Sequence, residues 1–175
     1  MRIFIALLFP KTIKDKLYSY IEKMRSFYDG NYTSYDNLHL TLYYIGEIDS
    51  LLYDKVVEEI KKINQSVFEF EIGSLGSFKN NGLQRLVHCK VNLNHALESL
   101  QSRVIRALKL SGIIINSTDF TPHITLGRRV SIPISCLNEI RIEALKVKAI
   151  KVSVMESKRI DTELVYEEKD YIMLK

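Results

Sequence analysis

His39-Leu40-Thr41-Leu42 is written a second time as His123-Ile124-Thr125-Leu126, and the two words hold two of the four histidines in the chain. In an extended strand alternate side chains share a face. Each word therefore sets an imidazole and a hydroxyl on one side and two aliphatic anchors on the other. Any half-buried strand alternates polar and apolar residues, which explains one copy easily. Chance odds for the pair, with apolar residues at every intervening position, are on the order of 4 in 10,000. Two such strands face to face would present two histidines and two threonines to one small anionic group. That pattern points to phosphoester chemistry.

What precedes each word is also alike. Met1 to Phe9 reads as a buried strand. Its apolar run is too short to cross a bilayer, and an amphipathic helix follows it rather than a cleavage site. Pro10 and Thr12, with Asp15 three residues on, predict a helix start with a capping box. Ile13, Leu17, Tyr20, Ile21 and Met24 then recur at helical spacing. Gly30 closes the helix region, and a polar loop with Tyr32, Tyr35, Asp36 and Asn37 leads into His39. Later, Arg85 to Val91 reads as a strand, and Asn94 caps a helix with Leu97, Leu100, Val104 and Leu108 on one stripe. Gly112 stops that helix, and a loop leads to Pro122, which fixes the start of the second histidine strand.

Strand, helix, loop, histidine strand thus occurs twice. The expected fold is α+β, one bilobal domain over residues 1–175. Its two similar lobes would carry antiparallel sheets and outer helices about a pseudo-twofold, with the histidine strands facing a central cleft.

Between the units a helix is expected over 51–64, with Leu52, Val56, Ile60 and Ile63 on one face, followed by a strand from Val67 to Ile72. Gly73, Gly76 and Lys79-Asn80-Asn81-Gly82 read as hairpin punctuation. Lys146 to Ala149 and Ile150 to Val154 each alternate but out of phase, which predicts a bulge near Ala149-Ile150. Asp170 to Leu174 reads as a last short strand.

Composition narrows the partners. The chain has 175 residues, 46% of them hydrophobic, and 25 basic against 21 acidic residues. This mild cationic bias suits an anionic ligand and falls short of a nucleic-acid coat protein. Cys89 and Cys136 have no metal-site spacing and fit a reducing, cytoplasmic compartment. Two separated histidine words without a third convergent His, Cys or acid motif do not make a zinc set, so no metal and no cofactor are expected. His88 and His95 read as an ordinary strand residue and a helix-start residue.

Further segments carry a family likeness. These are Met1-Arg2-Ile3-Phe4-Ile5-Ala6-Leu7, Asn37-Leu38-His39-Leu40-Thr41-Leu42 with Ile45-Gly46-Glu47, Leu75-Gly76-Ser77-Phe78, Phe120-Thr121-Pro122-His123-Ile124-Thr125-Leu126-Gly127-Arg128 and Met155-Glu156-Ser157. In that order they resemble the two-histidine phosphoesterase superfamily, and within it the RNA 2',3'-cyclic phosphodiesterases, also called LigT-like or 2'-5' RNA ligases. The chain departs from the family pattern in having no Trp before the first motif, where Tyr35 is the candidate substitute, and in placing Met155 where an aromatic is common.

The resemblance implies hydrolysis of RNA or nucleoside 2',3'-cyclic phosphate ends to 2'-phosphates. His39 and His123 are the catalytic candidates, since an imidazole titrates near neutrality and serves either proton transfer. Thr41 and Thr125 are the phosphate-binding candidates. His123 is assigned as base on water and His39 as acid to the leaving 3' oxygen, labels that near-symmetry leaves reversible. Arg128 is a possible substrate contact, although strict alternation from His123 puts it on the wrong face. Arg129 has the right parity and less family support. Tyr32, Tyr35 and Tyr43 are candidates to stack a nucleobase.

Cleavage or formation of a 2'-5' phosphodiester is the enzymatic alternative, and a non-catalytic RNA-end-binding protein is another. Against the last, Lys or Arg would hold a phosphate as well as two histidines and two threonines. The expected partner is RNA with a 2',3'-cyclic phosphate end or a small cyclic nucleotide. No membrane is expected, and the protein is expected to be a monomer.

Overall fold

A computed structural model describes residues 1–79 and 84–175, so the turn expected at Asn80-Asn81-Gly82 lies outside the described residues. The strands are β1 (Arg2–Leu8), β2 (Asn31–Tyr32), β3 (His39–Glu47), β4 (Phe68–Lys79), β5 (Gln84–Asn92), β6 (His123–Ser131), β7 (Leu145–Ala149), β8 (Lys151–Ile160) and β9 (Glu163–Met173). The helices are α1 (Lys11–Arg25), α2 (Ser50–Lys61), α3 (His95–Leu110) and α4 (Ile134–Glu139), with a 3₁₀ turn over Tyr35–Asn37. One sheet runs β3-β1-β8-β9 and the other β2-β6-β5-β4-β7. The fold is α+β with two antiparallel sheets, as the repeated pattern predicts.

Period-two alternation builds both sheets. Ile3, Ile5 and Leu7 of β1, Leu40 and Leu42 of β3, Val87, Cys89 and Val91 of β5, and Ile124 and Leu126 of β6 all enter one core. The stripes Leu17, Ile21 and Met24 of α1, Val56 and Ile60 of α2, and Leu97, Leu100, Val104 and Leu108 of α3 fill it from the helix side. Each such side chain contributes about 1.5–3 kcal/mol by leaving water. The opposite face of β1 carries Phe4 and Ala6, which join Met155 in a second small cluster with Leu8 and Tyr166 against it.

The two repeated units are interlocked. Helix α1 packs against β6, and α3 packs against β3 as well as β4. Each histidine strand is therefore backed by the helix that precedes the other one.

Several local expectations change. Helix α1 begins at Lys11 because the Pro10 carbonyl takes the amides of Ile13 and Lys14, so Thr12 sits inside the helix and makes no cap. Asp15 is thereby left to accept from Tyr35 and Lys11. Helix α2 is capped by Asp49, whose side chain accepts from the Leu52 amide at 2.8 Å. Asn94 caps α3 as expected, accepting from the Leu97 amide at 2.9 Å.

Gly73 and Gly76 do not end a strand; both lie within β4, which shifts register between Ile72 and Leu75. The phase change near Ile150 is a change of sheet rather than a bulge, since β7 pairs with β4 while β8 pairs with β1 and β9. The last strand is longer than Asp170–Leu174 and begins at Glu163. Among the described residues no helix is long and apolar enough to cross a membrane.

Candidate active site

Register with β1 decides which way the first histidine strand points. His39 pairs with Leu8 and Thr41 with Ala6, so both lie on the face opposite the main core. The His39 ring lies 4.9 Å from Phe4 and 5.2 Å, edge-on, from Tyr166. In the other sheet His123 pairs with Lys90 and Thr125 with His88, again away from the core residues Ile124 and Leu126. All four motif side chains are half-buried. Strands β3 and β6 approach one another directly.

Each imidazole is oriented by the same device. His39 Nδ1 lies 2.7 Å from the Asn37 carbonyl, and His123 Nδ1 lies 2.8 Å from the Thr121 carbonyl. A carbonyl only accepts, so Nδ1 carries the proton in both rings and Nε2 is the nitrogen left for chemistry. At His39 that nitrogen accepts from the Thr41 hydroxyl at 2.9 Å. Asn37 is fixed in turn. Its side-chain amide donates to the Leu164 carbonyl at 2.7 Å and its oxygen accepts from the Tyr166 amide at 3.1 Å, which extends the β9 edge.

Burial pulls the His39 imidazole down to about 4; the charges of Arg128, His123 and Lys14 push the same way, and the Asn37 carbonyl opposes them. His39 is therefore neutral at pH 7 in the free protein. Burial also raises the Tyr166 hydroxyl, which Arg128 opposes and Tyr44 reinforces. Arg128 is thus felt at both His39 and Tyr166, although simple alternation would send it the other way. A bulge supplies the missing half-step. Val87 pairs with Gly127 and His88 with Thr125, so β6 spends one extra residue after Thr125. A methyl group on Gly127 would come within 2.7 Å of Val130 Cγ2, so this bulge uses glycine.

The tyrosines distribute differently from expectation. Tyr32 packs against the main core and its hydroxyl donates to the Tyr28 carbonyl. Tyr35 is tied to α1, donating to Asp15 at 2.7 Å, with its ring edge-on to Tyr18. Tyr43 pairs with Ile5 and packs against the main core, not beside His39. The reason is a second bulge, after Thr41, which turns Tyr44 rather than Tyr43 toward Phe4. Arg129 is exposed with φ of 53°, a turn of the backbone that ends the alternation it was judged by.

Sequence reading passed over His88, Phe78 and Tyr166. His88 lies 5.2 Å from His123 and stacks on Phe78 at 4.4 Å, and Phe78 meets His123 edge-on at 5.2 Å. The mid-chain Gly-Ser-Phe segment held a signal for Phe78; nothing local marks His88, whose face follows from register. Among the described residues no group of three His, Cys, Asp or Glu side chains is arranged to hold a metal ion.

The chain and its fold have relatives. The sequence model of the 2'-5' RNA ligase superfamily matches residues 13–159, and the chain belongs to that superfamily. It is 27% identical over 128 residues to the RNA 2',3'-cyclic phosphodiesterase of Archaeoglobus fulgidus, covering 73% of this chain and 72% of that protein. To the RNA 2',3'-cyclic phosphodiesterase of Thermotoga maritima it is 29% identical over 131 residues, covering 73% and 70%. Its fold is that of E. coli LigT in apo form, with a TM-score of 0.82 at 21% identity over 99% of this chain and 96% of that one. TT0787 of Thermus thermophilus gives a TM-score of 0.80 at 21% identity over 99% and 98%.

Proposed function

We propose that this protein hydrolyses the 2',3'-cyclic phosphate at RNA or nucleoside ends to a 2'-phosphate, by metal-independent acid–base catalysis on His39 and His123. The observation that carries the reading is the matched pair of imidazoles on neighbouring strands, each with Nδ1 on a backbone carbonyl and Nε2 turned away from it, at His39 toward the Thr41 hydroxyl. The names of the relatives supply the substrate class.

In this mechanism His123 Nε2 takes a proton from water as its oxygen attacks phosphorus. The bond from phosphorus to the 3' oxygen breaks, and His39 Nε2 delivers a proton to that oxygen. Thr41, Thr125 and Arg128 donate hydrogen bonds to the non-bridging oxygens, which gain charge in the transition state. Neutral His39 acquires its proton when the substrate arrives, because a phosphate anion beside it favours the imidazolium. The partner is an RNA end or a small cyclic nucleotide, bound by one chain in a reducing, cytoplasmic compartment. Two unpaired cysteines are compatible with that setting.

The superfamily description favours one second reading. The same two proton transfers cleave a 2'-5' phosphodiester or, in reverse, join RNA ends.

The test incubates purified protein in EDTA with each nucleoside 2',3'-cyclic phosphate and a 2'-5'-linked dinucleotide, and identifies the product isomers. Formation of 2'-phosphate with a bell-shaped pH profile supports the reading. Turnover of the dinucleotide alone selects the second reading, and activity that returns only with added zinc or manganese overturns both.

A further inference from the structure

His88 is an odd residue for a packing role. It is 3% exposed, and its Nδ1 makes no well-formed hydrogen bond among the described residues, with only the Leu86 carbonyl near enough to favour its charged form. A buried polar nitrogen without a well-formed hydrogen bond carries a cost that an apolar side chain would avoid. The ring occupies a tightly defined slot. Its register partners are Gly76 on β4 and Thr125 on β6. A methyl group on Gly76 would lie 2.7 Å from Lys90 Cε and 2.8 Å from His88 Nε2, so the Nε2 edge of the imidazole sits against a position that only glycine leaves open. On its other side the ring stacks on Phe78, with centroids 4.4 Å apart and planes 24° from parallel.

Both rings touch the second motif histidine. His88 meets His123 at 5.2 Å and 63°, and Phe78 meets it at 5.2 Å and 84°. The three rings form a closed triangle. The Thr121 carbonyl fixes one atom of His123, Nδ1, and a ring held at one atom still swings about it. The two neighbours remove that swing. Burial holds His88 down to about 4, so it stays neutral and adds no second charge beside a protonated His123.

We propose that His88, seated over Gly76 and stacked on Phe78, is a positioning residue that holds the His123 ring in its reactive orientation. It touches neither water nor phosphate in the reaction and acts through His123 alone. The proposal rests on His123 being part of the reactive pair.

Two variants displace the ring by different routes. His88→Ala deletes it, and Gly76→Ala drives a methyl into the slot while leaving every aromatic side chain in place. For both, kcat on a nucleoside 2',3'-cyclic phosphate should fall at least about tenfold, since small misplacements of a reacting group carry costs up to about 10²-fold. KM should stay within about threefold, because the phosphate donors Thr41, Thr125 and Arg128 are untouched.

The second readout needs no turnover. In NMR spectra the His123 Cε1 proton should give one sharp environment in wild type and a shifted or averaged one in both variants, with the His39 signal unchanged. Loss carried in KM, or an unperturbed His123 resonance in a folded variant, overturns the positioning role. An inactive wild type with a perturbed His123 resonance in the variants would instead overturn the proposed reaction and leave His88's role standing. If His88→Ala fails to fold, Gly76→Ala and Phe78→Leu carry the same two measurements.

Discussion

Tyr43 and Gly127 stand at the same place in their strands. Each lies two residues beyond the motif threonine yet pairs only one step further along the neighbouring strand, with Ile5 and Val87 respectively. Both histidine strands therefore bulge just after the motif threonine, and the second residue beyond Leu42 and Leu126 returns to the face of the histidine. In β3 that residue is Tyr44, and in β6 it is Arg128.

The bulge assigns work to Arg128 and not to its neighbour. Arg128→Gln should weaken phosphate binding by about 10–100-fold, the worth of a charged hydrogen bond. Arg129→Gly should leave binding unchanged, because Arg129 is exposed and holds a backbone angle that glycine accepts. Isothermal titration with inorganic phosphate measures both. The guanidinium also lowers His39, so Arg128→Gln should raise the His39 midpoint in an NMR titration. A midpoint that stays or falls would separate the two side chains.

His39→Ala and His123→Ala should each lower kcat by about 10²–10⁴-fold, the usual range for one proton transfer. Thr41→Ala and Thr125→Ala should cost about 10–10³-fold, each removing one hydrogen bond to a charged oxygen. Thermal unfolding followed by circular dichroism should show all four variants folded. Retained activity in a folded histidine variant would remove that residue from the mechanism.

Binding of a phosphate anion should take up a proton. In the free protein His39 is held at about 4, and an adjacent anion raises it. At pH 6, calorimetric titrations with phosphate in buffers of different ionisation enthalpy should reveal uptake approaching one proton. Affinity should strengthen as pH falls below the raised value toward the free value of about 4. Binding without proton exchange would mean that His39 does not adjoin the anion.

Two imidazoles shielded from water, one half-buried and one buried, make the free protein acid-sensitive. His39 and His88 both fall from 6.5 to about 4 on folding, so the unfolded chain binds more protons anywhere between those values. Stability should decline as pH drops through that window and level off beneath it, by on the order of 3 kcal/mol for each ring. Urea unfolding at pH 7 and pH 5 measures the slope, and His88→Leu should make it shallower.

What the sequence disclosed follows a physical boundary. The histidine words, the leucine anchors beneath them and the helix stripes are local patterns, and alternation carried them correctly onto strands and helix faces. The bulges after Thr41 and Thr125 depend on the partner strand, so Tyr43 read as a cleft residue and Arg128 as misdirected. His88 belongs to the same class: its own strand alternates plainly, but only pairing with Thr125 shows which face meets His123. The step from β7 to β8 looked like a bulge because a change of sheet and an inserted residue leave the same phase slip.

The exchange of helices between the repeated units sets how damage travels. Helix α1 lies just before His39 in the chain and supports the strand of His123, while α3 does the reverse. A destabilising change at Leu17 or Ile21 therefore acts on the strand of His123 as well as on the turn before His39. Neither half, severed from the other, would keep the backing of its own histidine strand. The doubled plan therefore stands or falls as one cooperative unit.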